Sequence, residues 1–279
     1  MHEISRRIER AFAAFLICAT AGFASAGEAA SASPDNVCTV LADASNGAIL
    51  KQDGECDRRV PPASTFKIPI ALMGYDAGFL KDENDPKLPF KEGYPDWIKS
   101  WRTDTDPAAW MKNSVVWYSQ QVTQALGKEK FESYVAAFGY GNADVSGDKG
   151  KDNGLTRSWL SSSLRISPLE QVGFLTRLVG RKLPVSAHAY EMTEAIQTVF
   201  ELPNGWTVRG KTGAGFAVKA DGTPNRQKPI GWYVGWASKD GRTVVFARLK
   251  ENSEPQKMSP GLGTRDELLK VLPSMLDAL

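Results

Sequence analysis

Ser64-Thr65-Phe66-Lys67 and Lys211-Thr212-Gly213 are the two places in this 279-residue sequence where residue types and spacing suit covalent chemistry. A serine hydroxyl becomes a competent nucleophile only when a neighbouring group takes its proton. On a helix, residues three apart share a face, so Lys67 lies where it could take the proton of Ser64. A helix N-terminus at that point also favours the negative charge that develops on the serine. The same spacing recurs at Ser146-Gly147-Asp148-Lys149, in a Gly-rich stretch with few apolar neighbours to alter its lysine, and this copy reads as solvent-exposed. Lys211-Thr212-Gly213 occurs once and closes a β-rich run that begins near Trp206. A strand edge followed by Gly lets a ligand backbone approach, while Lys and Thr side chains suit a carboxylate.

Elimination narrows the choice of base. The sequence holds two histidines, His2 and His188. His2 falls in a targeting segment, so a Ser-His-Asp triad would have to use His188. Its flanks, Ala187-His188-Ala189-Tyr190-Glu191, read as the start of an ordinary helix, and a His-rich zinc site is excluded for want of ligands. Glu170 stands in Ser167-Pro168-Leu169-Glu170, a capping-box pattern rather than a catalytic one. Tyr140-Gly141-Asn142 reads mainly as a helix C-cap and turn. No Gly-rich phosphate loop is present. Acidic and basic residues, 32 and 34, are spread along the chain to a net charge of +2, which excludes nucleic acid as a natural partner.

The elements that must position these residues follow from patterning. Arg6, Arg7 and Arg10 precede an apolar stretch from Ala11 to Ala24, and Ala24-Ser25-Ala26 offers a small-x-small cleavage step. Residues 1–26 therefore read as a signal peptide, leaving a single domain over 27–279, soluble and free of the membrane after cleavage. Cys38 and Cys56 flank a hairpin pattern around Ser45-Asn46-Gly47. In an exported chain they are expected to form a disulfide, two unrelated buried thiols being the alternative. A buried helix is expected from Ser64 to Gly78, then an irregular excursion over 81–106. Helices follow at Ala108–Met111, Val115–Leu126, Glu129–Phe138, Pro168–Val179 and Ala187–Gln197. Strands are expected at Thr207–Lys211, Ile230–Ala237 and Thr243–Leu249, and a last helix from about Arg265 to Leu279. This order predicts an α+β fold: an antiparallel sheet flanked by helices, a mainly helical subdomain at roughly 80–180, and a site between them.

Five motifs then stand in one series: Pro62-Ala63-Ser64-Thr65-Phe66-Lys67, Ser114-Val115-Val116, Phe138-Gly139-Tyr140-Gly141-Asn142, Trp159-Leu160 and Lys211-Thr212-Gly213. The chain from about residue 37 onward resembles the class D, or oxacillinase-type, serine β-lactamases within the penicillin-binding transpeptidase superfamily, with the motifs in that family's order. The resemblance implies hydrolysis of the β-lactam amide bond, β-lactam resistance and a periplasmic location. It implies Ser64 as acylated nucleophile and Lys67 as a lysine carboxylated by carbon dioxide to serve as general base. No metal and no separate cofactor are implied. Ser114 would relay protons, Val116 and Leu160 would wall the carbamate, and Trp159 would donate a hydrogen bond to it. The N–H groups of Ser64 and Ala214 would form an oxyanion hole. Lys211, Thr212 and Arg265 would hold the substrate carboxylate, with Arg248 a rival for the arginine, and Gly213 and Ala214 would complete the substrate-binding edge.

The residues support that chemistry on their own terms. Only an uncharged lysine amine accepts a proton or reacts with carbon dioxide, and burial beside apolar side chains lowers a lysine pKa. The Trp159 indole lies among Ser158, Ser161, Ser162 and Ser163 and needs an acceptor if buried, although simple core packing would also explain Trp159 and Val116. Two other readings share Ser-x-x-Lys and Lys-Thr-Gly: a transpeptidase that releases its acyl group poorly, and a β-lactam receptor sensor domain. Val116 with Trp159 argues against the first and the lack of multiple membrane spans against the second. Substrate preference is expected to depend on two irregular segments, 81–113 and 214–230.

Overall fold

The computed structural model describes residues 35–279, so the expected signal peptide lies outside the described residues. The chain opens with the hairpin β1 (Asn36–Asp43) and β2 (Ile49–Asp53). Cys38 and Cys56 are joined by a disulfide with Cα atoms 5.3 Å apart. Closing a loop of that length contributes about 3 kcal/mol on the chain-entropy view. Four strands follow the helical middle of the chain: β3 (Thr198–Glu201), β4 (Thr207–Val218), β5 (Pro224–Lys239) and β6 (Arg242–Glu251). All pair antiparallel in the order β2-β1-β6-β5-β4-β3. The run Pro229–Ala237 of β5 is buried throughout, as the near-continuous apolar sequence of a central strand requires.

Between β2 and β3 the regular elements are helical. A 3-10 turn, Ala63–Phe66, runs into α1 (Lys67–Asp76). Then come α2 (Pro107–Asn113), α3 (Val116–Leu126), α4 (Lys128–Ala137), the single turn α5 (Gly154–Arg157), α6 (Pro168–Val179) and α7 (Ala187–Ala195). Every residue of α1 from Lys67 to Tyr75 is buried, the placement expected of a helix apolar on all sides. Pro168 at its first turn and the Ser167–Glu170 capping box fix the start of α6. The C-terminal helix is α8 (Pro260–Asp277).

Two cores hold the sheet. The larger lies between the sheet and α1, α3 and α6, and includes Val40, Phe66, Ile70, Trp117, Trp159, Phe174 and Trp232. The smaller sits under α8, where Leu268, Leu272 and Leu276 pack with Leu41, Val208, Tyr233 and Phe246. No helix among the described residues is long and apolar enough to cross a membrane.

Two expectations need correction, and one strand was not foreseen. Residues 214–230 are not irregular: β4 and β5 continue as a paired hairpin from Ala214↔Gly231 to Val218↔Pro224, with a bulge at Phe216/Ala217. Its polar tip carries no apolar alternation because it extends beyond the core. The strand β3 went unforeseen because it is four residues of sheet edge. Helix α8 begins at Pro260, not near Arg265. Gly261 and Gly263 disguise its first turn, since Gly is a poor helix former. Gly261 is required there, because a Cβ would lie 2.5 Å from the carbonyl oxygen of Gly213.

Candidate active site

Ser64 sits within the 3-10 turn, and that turn is held from several sides. Ala63 adopts φ 50°, a left-handed conformation that a non-Gly residue takes only under constraint. Its N–H donates to the carbonyl of Trp159 at 3.1 Å. Thr65 Oγ1 donates to Pro62 O at 2.8 Å and accepts from Gln171 Nε2 at 3.0 Å. The Trp232 indole donates to Pro61 O at 2.9 Å. Beneath the turn, the Phe66 ring lies 5.1 Å from Tyr140 and 5.8 Å from Trp159, centroid to centroid. Ala63, Thr65 and Phe66 are buried while Ser64 is half-exposed, so the turn presents that one side chain outward.

Lys67 follows as the first residue of α1 and is fully buried. Its Nζ donates to Ser64 Oγ at 3.4 Å. Burial, and then the positive charge of Lys211, hold its amine well below the usual lysine range, which leaves the uncharged form accessible. No carboxylate pairs with it among the described residues. A lysine kept so dry and so near a serine hydroxyl is poised to accept a proton rather than to carry a charge.

The second lysine closes the group. Lys211 is 3% exposed, and its Nζ donates to Ser114 Oγ at 3.0 Å, to Thr212 O at 3.0 Å and to Thr212 Oγ1 at 3.4 Å. Burial, and then the charge of Arg265, push its pKa down to about 7. Ser114 ends α2 with φ 58°, a second left-handed non-Gly residue, and Val115 then caps α3. Strand β3 pairs only with residues 207–210 of β4. From Lys211 onward the outer edge of β4 therefore has no strand partner and faces the serine turn. Gly213 makes this closeness possible, for a Cβ there would stand 2.9 Å from Pro62 O and 3.0 Å from Thr65 Cγ2. Ala214 is exposed on that edge.

Trp159 is fully buried, and its Nε1 has no hydrogen-bond partner among the described residues. The surrounding serines do not supply the acceptor that such an indole needs. Ser158 Oγ is itself unpartnered, and Ser161 Oγ instead accepts from Phe216 N at 2.9 Å. A buried donor without an acceptor costs on the order of 1–3 kcal/mol and calls for an explanation. Val116 is buried in the first turn of α3, and Leu160 is half-buried beside Trp159.

The turn Tyr140-Gly141-Asn142 fastens the segment that carries Trp159. Asn142 Nδ2 donates to Ser163 O, and its Oδ1 accepts from Arg165 N. Arg265 is not brought to Lys211 by any hydrogen bond. Lying inside α8, it is held by Asp266, at 2.8 Å from Nε, and stacks 5.4 Å above the Phe200 ring. Arg248 is turned toward Thr39 and Glu267. Glu170 caps α6 and pairs with Arg59, and His188 Nε2 lies 2.8 Å from Lys81 O. Sequence reasoning missed Ser161, Gln171 and Gly261. Ser161 was hidden in a run of three serines, and no local pattern marks the other two.

Comparisons with known proteins accord with this geometry. Residues 37–272 match the family model for the penicillin binding protein transpeptidase domain. Beta-lactamase OXA-9 of Klebsiella pneumoniae is 49% identical over 243 residues, covering 86% of this chain and 88% of that protein. Beta-lactamase OXA-1 of Escherichia coli is 37% identical over 273 residues, covering 94% and 95%. The crystal structure of OXA-427 class D beta-lactamase superposes with a TM-score of 0.83 at 48% identity, covering 87% of this chain and 99% of that one.

Proposed function

The chain belongs to the class D β-lactamases, and from that premise we propose that it hydrolyses β-lactams through an acyl ester on Ser64, with Lys67 carrying the base. The observation that carries the reading is the pair of buried anomalies at the Ser64 turn: an unpaired lysine held toward its neutral form and an indole donor with nothing to donate to. A carboxyl group added to Lys67 from carbon dioxide supplies a general base of the right strength, and Trp159 Nε1 is the donor free to hold it, with Val116 and Leu160 as dry wall. That single addition resolves both anomalies.

The reaction then follows from where the side chains stand. Ser64 Oγ loses its proton on the Lys67 side and attacks the β-lactam carbonyl carbon. The developing oxyanion meets the N–H groups of Ser64 and Ala214. The carbon–nitrogen bond breaks, and the ring nitrogen takes a proton delivered through Ser114, which Lys211 holds at 3.0 Å. Water, deprotonated on the Lys67 side, next attacks the ester carbonyl, and Ser64 leaves with a proton restored. Lys211 and Thr212 receive the substrate carboxylate, and Gly213 lets the substrate lie along the free edge of β4. Arg265 adds long-range positive charge, since it bears on the Lys211 amine without touching it. Removal of residues 1–26 on export would deliver the enzyme to the periplasm, where the Cys38–Cys56 disulfide is at home.

Purified protein mixed with a chromogenic cephalosporin should release many equivalents of product per molecule. A single-equivalent burst that leaves Ser64 acylated would make the protein a receptor or transpeptidase instead.

A further inference from the structure

Past Ala214 the cleft widens into a cavity of about 660 Å³ beneath the long β4–β5 hairpin. Trp97, Leu160 and Phe216 give it apolar walls, and Arg157 and Arg226 are its charged lining. No Asp or Glu lines it among the described residues. The two arginines differ. Arg157 has Asp148 as counter-ion at 3.4 Å. Arg226 is exposed, lies 5.6 Å above the centroid of the Phe216 ring, and makes no ion pair among the described residues. Stacking holds its guanidinium at the cavity wall while leaving its charge uncompensated. Trp97, 63% exposed at the same cavity, offers a bare aromatic face. A cleft that joins an open aromatic surface to an unneutralised cation favours a group that is both aromatic and anionic.

We propose that this cavity receives the acyl side chain of the β-lactam and favours side chains that combine an aromatic ring with a carboxylate or sulfonate, Arg226 being the selecting residue. The proposal rests on the hydrolase reading above. The ring lies against Trp97 and Leu160, and the anion meets Arg226. Arg157 contributes less because Asp148 already neutralises it.

The test compares kcat/KM for benzylpenicillin and its α-carboxy derivative, which differ by one carboxylate, in the wild-type protein and in Arg226→Gln and Arg226→Lys. The preference for the carboxylated substrate should fall about fivefold in Arg226→Gln, the scale of one solvent-accessible ion pair. Arg226→Lys should keep part of it, and raising NaCl from about 0.05 M to about 1 M should shrink it in the wild type. A substrate ratio unmoved by Arg226→Gln and by salt overturns the assignment of Arg226. Failure of the wild type to turn over benzylpenicillin at all overturns the hydrolase reading beneath it.

Discussion

Ser64-Thr65-Phe66-Lys67 and Ser146-Gly147-Asp148-Lys149 set the same two residue types at the same spacing in two environments. At the first, a constrained turn is pinned by Trp159, Gln171 and Trp232, and its lysine is wholly buried within hydrogen-bond reach of the serine. At the second, both residues are exposed on a loop. Ser146 is occupied by the Asp144 carboxylate, which accepts from its N–H at 3.0 Å and its Oγ at 2.6 Å. Spacing supplies proximity in neither case by itself. Burial holds one lysine toward its neutral form, and burial comes from elements distant in sequence.

Single substitutions put that comparison at risk. Ser64→Ala should lower kcat by at least about 1,000-fold while the protein still folds, because a catalytic nucleophile is lost and a small side chain replaces a small one. Ser146→Ala should leave steady-state turnover within about twofold, as for a surface substitution. Equal losses at the two serines would dissolve the distinction.

A smaller effect reads the burial of the lysine group through stability. Lys211 has a folded pKa of about 7, against about 10.4 for a free lysine. Between those values the unfolded chain holds a proton that the folded chain has released, so the stability due to this residue rises with pH across that window. In urea denaturation, the wild type should gain about 2 kcal/mol relative to Lys211→Met between pH 7 and pH 9. Lys149→Met should differ from wild type by less than about 0.5 kcal/mol at pH 7. A wild-type advantage over Lys211→Met that stays constant with pH would contradict the burial argument.

Much of this was legible in the sequence, for identifiable reasons. The Ser167–Glu170 capping box and Pro168 announced α6 to the residue, because caps are local chemistry. The exposed state of the second Ser-x-x-Lys copy followed from the glycines around it. The close approach of Gly213 to the serine turn did not, since it depends on β4 crossing that turn from nearly 150 residues away, roughly the motif spacing of this superfamily. The hairpin beyond Ala214 was invisible because its pairing, not its apolar pattern, makes it a strand. Two glycines likewise concealed the start of α8, five residues before Arg265, whose side chain pairs with Asp266 and stacks on Phe200 while its charge still bears on Lys211.

We propose that burial makes Lys67, and not Lys149, a reactive amine, with Trp159 as the donor to a carboxyl group added there. Carbon-13 NMR of the protein equilibrated with labelled bicarbonate near neutral to alkaline pH tests it directly. One carbamate resonance should be present in the wild type and in Lys149→Ala, absent from Lys67→Ala, and weakened or lost in Trp159→Phe. No carbamate resonance in the wild type, or one that disappears with Lys149 rather than Lys67, would contradict the account.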